Sequence, residues 1–132
     1  VVIYGSTTTT DTLDFWDATL DQSASPALFE FGDRPRNTST TKQFRIKNRS
    51  TTLKATGISV TRSIATDATP SIVGAHDFSL DGVAWTGNLN LGDLDPGDVS
   101  PVVTLRQSTP VDAALWLWPM TVIATPTGWE AP

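Results

Sequence analysis

Nine glycines and nine prolines are spread along a chain of 132 residues, and that punctuation argues against long helices before any periodicity is considered. Between them the chain is rich in threonine and serine. Threonine favours strands, and serine beside glycine or proline favours turns. From Pro26 onward the sequence reads as short strands separated by turns. Lys42-Gln43-Phe44-Arg45-Ile46-Lys47 alternates cleanly, with Phe44 and Ile46 pointing one way and Gln43, Arg45 and Lys47 the other. Residues 57–61 alternate again, with Ile58 and Val60 inward. Further strands are expected at 27–31, 76–80, 99–106 (interrupted by Pro101) and 115–124, and a polar loop at 65–74. Gly32-Asp33-Arg34-Pro35, Asn48-Arg49-Ser50-Thr51, Asp81-Gly82 and Asp95-Pro96-Gly97-Asp98 are the turns. Roughly seven short strands over about a hundred residues is the pattern of an immunoglobulin-like antiparallel β-sandwich. A domain of this size buries enough surface to fold without covalent staples, and the chain has no cysteine to make one.

Residues 1–25 have a different character. Thr7-Thr8-Thr9-Thr10 is a polar spacer with nothing to pack. Leu13, Trp16 and Leu20 follow at near-helical spacing, interleaved with Asp14, Asp17 and Asp21. A helix this short is marginal alone, so the segment is expected to be an extended arm ordered by what it touches. The expected organisation is an N-terminal arm over 1–25 and a sandwich over 26–132. Deleting the arm is expected to leave a folded domain that attaches less well to its partner. Val1-Val2-Ile3-Tyr4 has the composition of a short strand, and Val1-Val2-Ile3-Tyr4-Gly5 is too short and uncharged to read as a signal peptide. No apolar run approaches the ~18–20 residues of a bilayer span, so no membrane partner is expected. A net charge of −5 and a pI near 4.5 argue against nucleic acid.

Several segments resemble Hydin-like and related bacterial immunoglobulin-like domains: Phe29-Glu30-Phe31-Gly32-Asp33, Phe44-Arg45-Ile46-Lys47-Asn48-Arg49-Ser50, Phe78-Ser79-Leu80, Leu94-Asp95-Pro96-Gly97-Asp98 and Val102-Val103-Thr104-Leu105. In those families a Phe-Gly strand, a strand ending in asparagine and an L-x-P-G turn recur in that order. The resemblance covers roughly residues 27–124 and implies an adhesion or assembly module. In overall style the chain also resembles accessory structural proteins of tailed bacteriophages, which are small, cysteine-free, threonine-rich acidic sandwiches with an N-terminal arm.

The C-terminal strand is apolar on both faces. Trp116, Trp118, Met120 and Val122 share one, and Leu115, Leu117 and Ile123 the other. Pro119 marks either a bulge that swaps the faces or an edge strand whose outer face meets another subunit. The basic residues crowd between Arg34 and Arg62, with Arg106 alone outside. Arg45 and Lys47 on an outward face form either an ordinary solvated surface or a strip that docks an acidic partner, such as the arm of a neighbouring copy carrying Asp11, Asp14, Asp17 and Asp21.

Chemistry has little to draw on. Asp93, Asp95 and Asp98 lack the spacing of a calcium loop and read as turn residues, so no metal is expected. His76 and Asp77 point to opposite faces of one strand, and no G-x-S-x-G elbow is present. Asn37-Thr38-Ser39 and Asn48-Arg49-Ser50 match the glycosylation triplet as a threonine-rich chain will by chance. The chain is therefore expected to be non-enzymatic and cofactor-free, and the resemblance to tailed-phage accessory proteins implies a virion structural protein, a phage capsid decoration protein. Leu13, Trp16, Leu20, Arg45, Lys47, Trp116 and Trp118 would contact a major capsid or tail protein, or copies of itself in a homo-oligomer. The alternative is a carbohydrate-binding or adhesion module of a tail, baseplate or bacterial surface, with Trp85 and Trp129 as platforms for sugar rings.

Overall fold

The computed structural model describes residues 2–9, 13–24, 32–33, 37–64, 76–109 and 117–132. Among these there is no helix. The elements in chain order are β1 (Val2–Thr9), β2 (Leu13–Asp17), β3 (Gly32–Asp33), β4 (Thr38–Asn48), β5 (Lys54–Ile64), β6 (His76–Ser79), β7 (Asn88–Leu94), β8 (Val103–Thr109), β9 (Leu117–Thr125) and β10 (Gly128–Glu130). They form two sheets. One is antiparallel throughout, in the order β2-β4-β8-β6. In the other, β5 carries β7 on one flank and β9 and β10 on the other, β1 runs parallel to β9, and β3 closes the far edge.

Both sheets fill one core. Leu13, Phe15, Phe44, Ile46, Phe78, Val103 and Leu105 come from the four-stranded sheet. Ala55, Ile58, Val60, Leu94, Val122 and Ala124 come from the other. Period-two alternation explains the set: Phe44 and Ile46 are buried while Arg45 and Lys47 between them are half-buried. The rings of Phe15 and Phe44 lie 5.3 Å apart, and Phe78 meets Phe44 edge-on at 6.4 Å. The parity of β5 switches between Ala55 and Ile58, where the register against β7 shifts. Gly57 takes a φ of +55° there, and a Cβ on it would collide with the Thr127 side chain. β9 and β10 face β5 in one continuous register, with Ser59 opposite Thr125 and Thr56 opposite Gly128. Pro126, which has no N–H to donate, marks the break between them.

The structure departs from the sequence expectations at both ends of the chain. Instead of an arm over 1–25, residues 2–9 and 13–17 are strands within the two sheets. Leu13 and Phe15 are core residues, because alternation in β2 sends them inward. The last long strand is not an edge: β9 lies between β5 and β1. Nor does its register with β1 break at Pro119, which faces Tyr4 in an uninterrupted run from Leu117 to Ala124. Ile64, the last residue of β5, lies opposite Met120, so at Pro119 β1 is the one described neighbour. Gly32-Asp33, expected as a turn, pairs with β1. The expected strand at 99–106, interrupted at Pro101, is a bridge from Val99 to Lys47 followed by β8 from Val103, which runs on to Thr109. The expected strand at 27–31 and loop at 65–74 lie outside the described residues.

Candidate functional site

The face of the four-stranded sheet turned away from the core carries most of the candidate groups. Alternation brings Asp14 and Trp16 of β2, Gln43, Arg45 and Lys47 of β4, Arg106 of β8 and Asp77 of β6 to that face.

At the β2–β4 edge, Trp16 stands opposite Arg45 and Asp14 opposite Lys47. The Lys47 ammonium lies 4.3 Å from the centroid of the Trp16 ring. Trp16 Nε1 donates to Asp21 Oδ1 at 3.0 Å. Asp14 accepts from Ser23 Oγ at 2.5 Å and forms an ion pair with Arg49 at 3.5 Å. Asp17 closes its own turn, accepting from the N–H groups of Leu20 and Thr19 at 2.8 Å and from the Thr19 hydroxyl at 3.0 Å. Those donors, the Leu20 N–H foremost, hold its carboxyl below the ordinary aspartate value. The acidic segment expected to dock on a neighbour's basic strand thus lies on the basic strand of its own chain. Asp14, Asp17 and Asp21 are engaged locally, Asp11 lies outside the described residues, and among the described residues no carboxylate pairs with Arg45 or Lys47. Trp16 lines a hollow of about 210 Å³ with Leu20 and Arg45, and another of about 510 Å³ with Lys47, Arg49, Ser50 and Thr51.

The proposed contact residues therefore separate. Trp16, Arg45 and Lys47 meet on one surface, and Leu20, 56% exposed, borders it. Leu13 is 3% exposed and belongs to the core, so it is not a contact residue of this folded chain. Trp116 lies outside the described residues, and Trp118 is placed by its backbone in β9.

A second aromatic cluster sits across the same sheet. Arg106 donates to both Asp77 oxygens, Nε at 3.0 Å and NH2 at 2.6 Å, and those hydrogen bonds raise its pKa. Its guanidinium carbon lies 4.0 Å from the Trp85 ring centroid. Trp85 is half-buried and lines a hollow of about 250 Å³ with Leu80, Asp81, Ala84, Thr86 and Leu89. Sequence reasoning missed Arg106 and Asp77, whose pairing depends on β6 and β8 being neighbours. Trp129, by contrast, packs against the core.

The groups examined for chemistry are dispersed. His76 is fully buried and Asp77 half-buried on the opposite face. Asp93 pairs with Lys54 at 3.6 Å, and Glu130 joins from 3.5 Å; the Asp93 charge, then that of Glu130, raises the Lys54 pKa. Among the described residues no three His, Cys, Asp or Glu side chains converge as metal ligands would. Asn48 is fully buried, so its glycosylation triplet is inaccessible in the folded chain. No protein-family model, curated protein or solved structure matches this chain.

Proposed function

We propose that this chain is a non-catalytic virion structural protein, an immunoglobulin-like module that decorates the capsid of a tailed bacteriophage. One observation carries the docking part of that proposal. On a sheet face of a chain with net charge −5, Trp16 and exposed Leu20 stand beside two cations, Arg45 and Lys47, that have no carboxylate partner among the described residues. An aromatic with a neighbouring aliphatic is the composition of an interface anchor, and unpaired cations orient an acidic partner. The immunoglobulin-like part is supported by two sheets sharing one core. It is also supported by the contact of Asn48 with Leu94 and Asp95, two segments that carry the resemblance to Hydin-like domains.

Burying one large apolar side chain contributes about 1.5–3 kcal/mol. Trp16 and Leu20 alone would hold a single copy weakly, but repetition over a symmetric shell turns weak contacts into durable attachment. The test is association with particles. The native chain should co-sediment with virions of the phage that encodes it, and Trp16→Ala combined with Arg45→Glu and Lys47→Glu should release it with the fold intact. A chain found in the lysate and absent from particles would overturn the virion assignment. A triple variant that stays on the particle would overturn the docking face.

A further inference from the structure

We propose that Trp85 and the loop over residues 79–86 form a carbohydrate site, which takes one hexopyranose ring stacked on the indole. The inference is independent of the virion assignment. Trp85 has the properties of a platform and not of a core residue. It stands outside the apolar core, half-buried, with the Arg106 guanidinium 4.0 Å from its ring centre. Arg106 is itself fixed by its two hydrogen bonds to Asp77. Arg106 is not among the residues that line the 250 Å³ hollow beside Trp85, and the proposed sugar takes the side of the ring that Arg106 leaves.

The hollow is lined by the apolar side chains of Leu80, Ala84 and Leu89 together with the polar residues Asp81 and Thr86. The loop is fixed in advance by five hydrogen bonds. Ser79 Oγ donates to Asp81 Oδ1 and accepts from the N–H groups of Asp81 and Gly82, while Asp81 Oδ1 accepts from those of Val83 and Ala84. A fixed loop spares the ligand the entropy of ordering it. Ala84 N–H, then Val83 N–H and the Ser79 hydroxyl, keep the Asp81 carboxyl ionised by lowering its pKa. Its other oxygen, Oδ2, receives no hydrogen bond among the described residues.

In the proposed complex that oxygen accepts from a ligand hydroxyl, and this selects the class of ligand. A purely apolar occupant, such as a leucine side chain of a peptide, would desolvate it without supplying a donor, which is unfavourable. A phosphate-bearing ligand would meet an ionised carboxylate. A pyranose has C–H groups for the indole and hydroxyl donors for Asp81, so it satisfies both kinds of lining residue.

The test is a titration of the full-length ¹⁵N-labelled chain with methyl β-galactopyranoside, methyl β-glucopyranoside and methyl α-mannopyranoside, followed by NMR. At least one should shift the Trp85 indole N–H and the Gly82 and Ala84 amides in a saturable way. Trp85→Ala should weaken that binding about tenfold or more, and Asp81→Asn, which keeps an oxygen for the loop, should also weaken it. Leu53→Ala, at an exposed site outside the hollow, should leave it unchanged. The proposal fails if no glycoside gives a saturable shift in the folded protein, or if Trp85→Ala binds as tightly as the native chain. It also fails if a leucine-rich peptide shifts these resonances and the sugars do not. None of these outcomes bears on particle association, which is measured separately.

Discussion

At the scale of single residues, Asn48 does the most to join distant parts of the chain. Its Nδ2 donates to the carbonyls of Leu53 at 2.9 Å, Leu94 at 3.0 Å and Asp95 at 3.3 Å, and its Oδ1 accepts from Ser50 N–H at 3.0 Å. Its backbone bonds to Asp98 and Gly97 as well. Asn48→Ala would leave buried carbonyls without their donor, so it should lower stability by about 2–3 kcal/mol in urea unfolding. The sequence marks Asn48 as a turn residue, a strand end and part of a glycosylation triplet, but not as a partner of the 94–98 turn, which is distant along the chain. A second prediction concerns pH. The folded pKa values of Asp17 and Asp81 are depressed, so their contribution is present above the unfolded value of about 3.9 and is lost as pH falls through the folded value. The folded pKa of Lys54 is raised, so its contribution is complete below its unfolded value of about 10.4 and is lost as pH rises through the folded one. Melting temperature against pH should therefore be flat near neutrality and fall at both extremes. Asp81 is exposed and Asp17 and Lys54 are half-buried; the Lys54 part rests on the charges of Asp93 and Glu130, so salt should blunt it most.

At the scale of elements, β2 decides what the N-terminal segment is. Leu13 and Phe15 reach the core from it, with Phe15 against Phe44. Phe15→Ala should cost about 3–5 kcal/mol, and deleting residues 1–17, which removes β1 and β2, should abolish cooperative melting seen by circular dichroism. A truncated chain that still melts cooperatively would restore the free arm. Local alternation was legible: Phe44, Ile46, Ile58 and Val60 point inward as their spacing predicts. In β2 the same rule was available, but Leu13, Trp16 and Leu20 suggested a helical spacing that obscured the inward pair Leu13 and Phe15. The central place of β9 was not legible at all. Strand order is set by pairings between segments far apart in sequence, such as β1 with β9, and no local pattern encodes them.

At the scale of the whole molecule, the proposed contact surface was half legible. Arg45 and Lys47 face outward as alternation requires, and Trp16 joins them because β2 pairs with β4. The platform at Trp85 depends on Arg106 and Asp77 meeting across β8 and β6, which the sequence does not announce. The parallel pairing of the first strand with β9 has a mechanical consequence. Val2 faces Leu117 and Thr9 faces Ala124, so the chain enters β1 at one end of the pair and leaves β9 at the other. Tension applied between those two points slides the strands past each other and loads all eight facing positions at once, instead of peeling them apart in turn. Single-molecule pulling between cysteines placed at those ends should give one high rupture force, and pulling from the same end of both strands a much lower one. Such a module would resist shear along this axis far better than its modest size suggests.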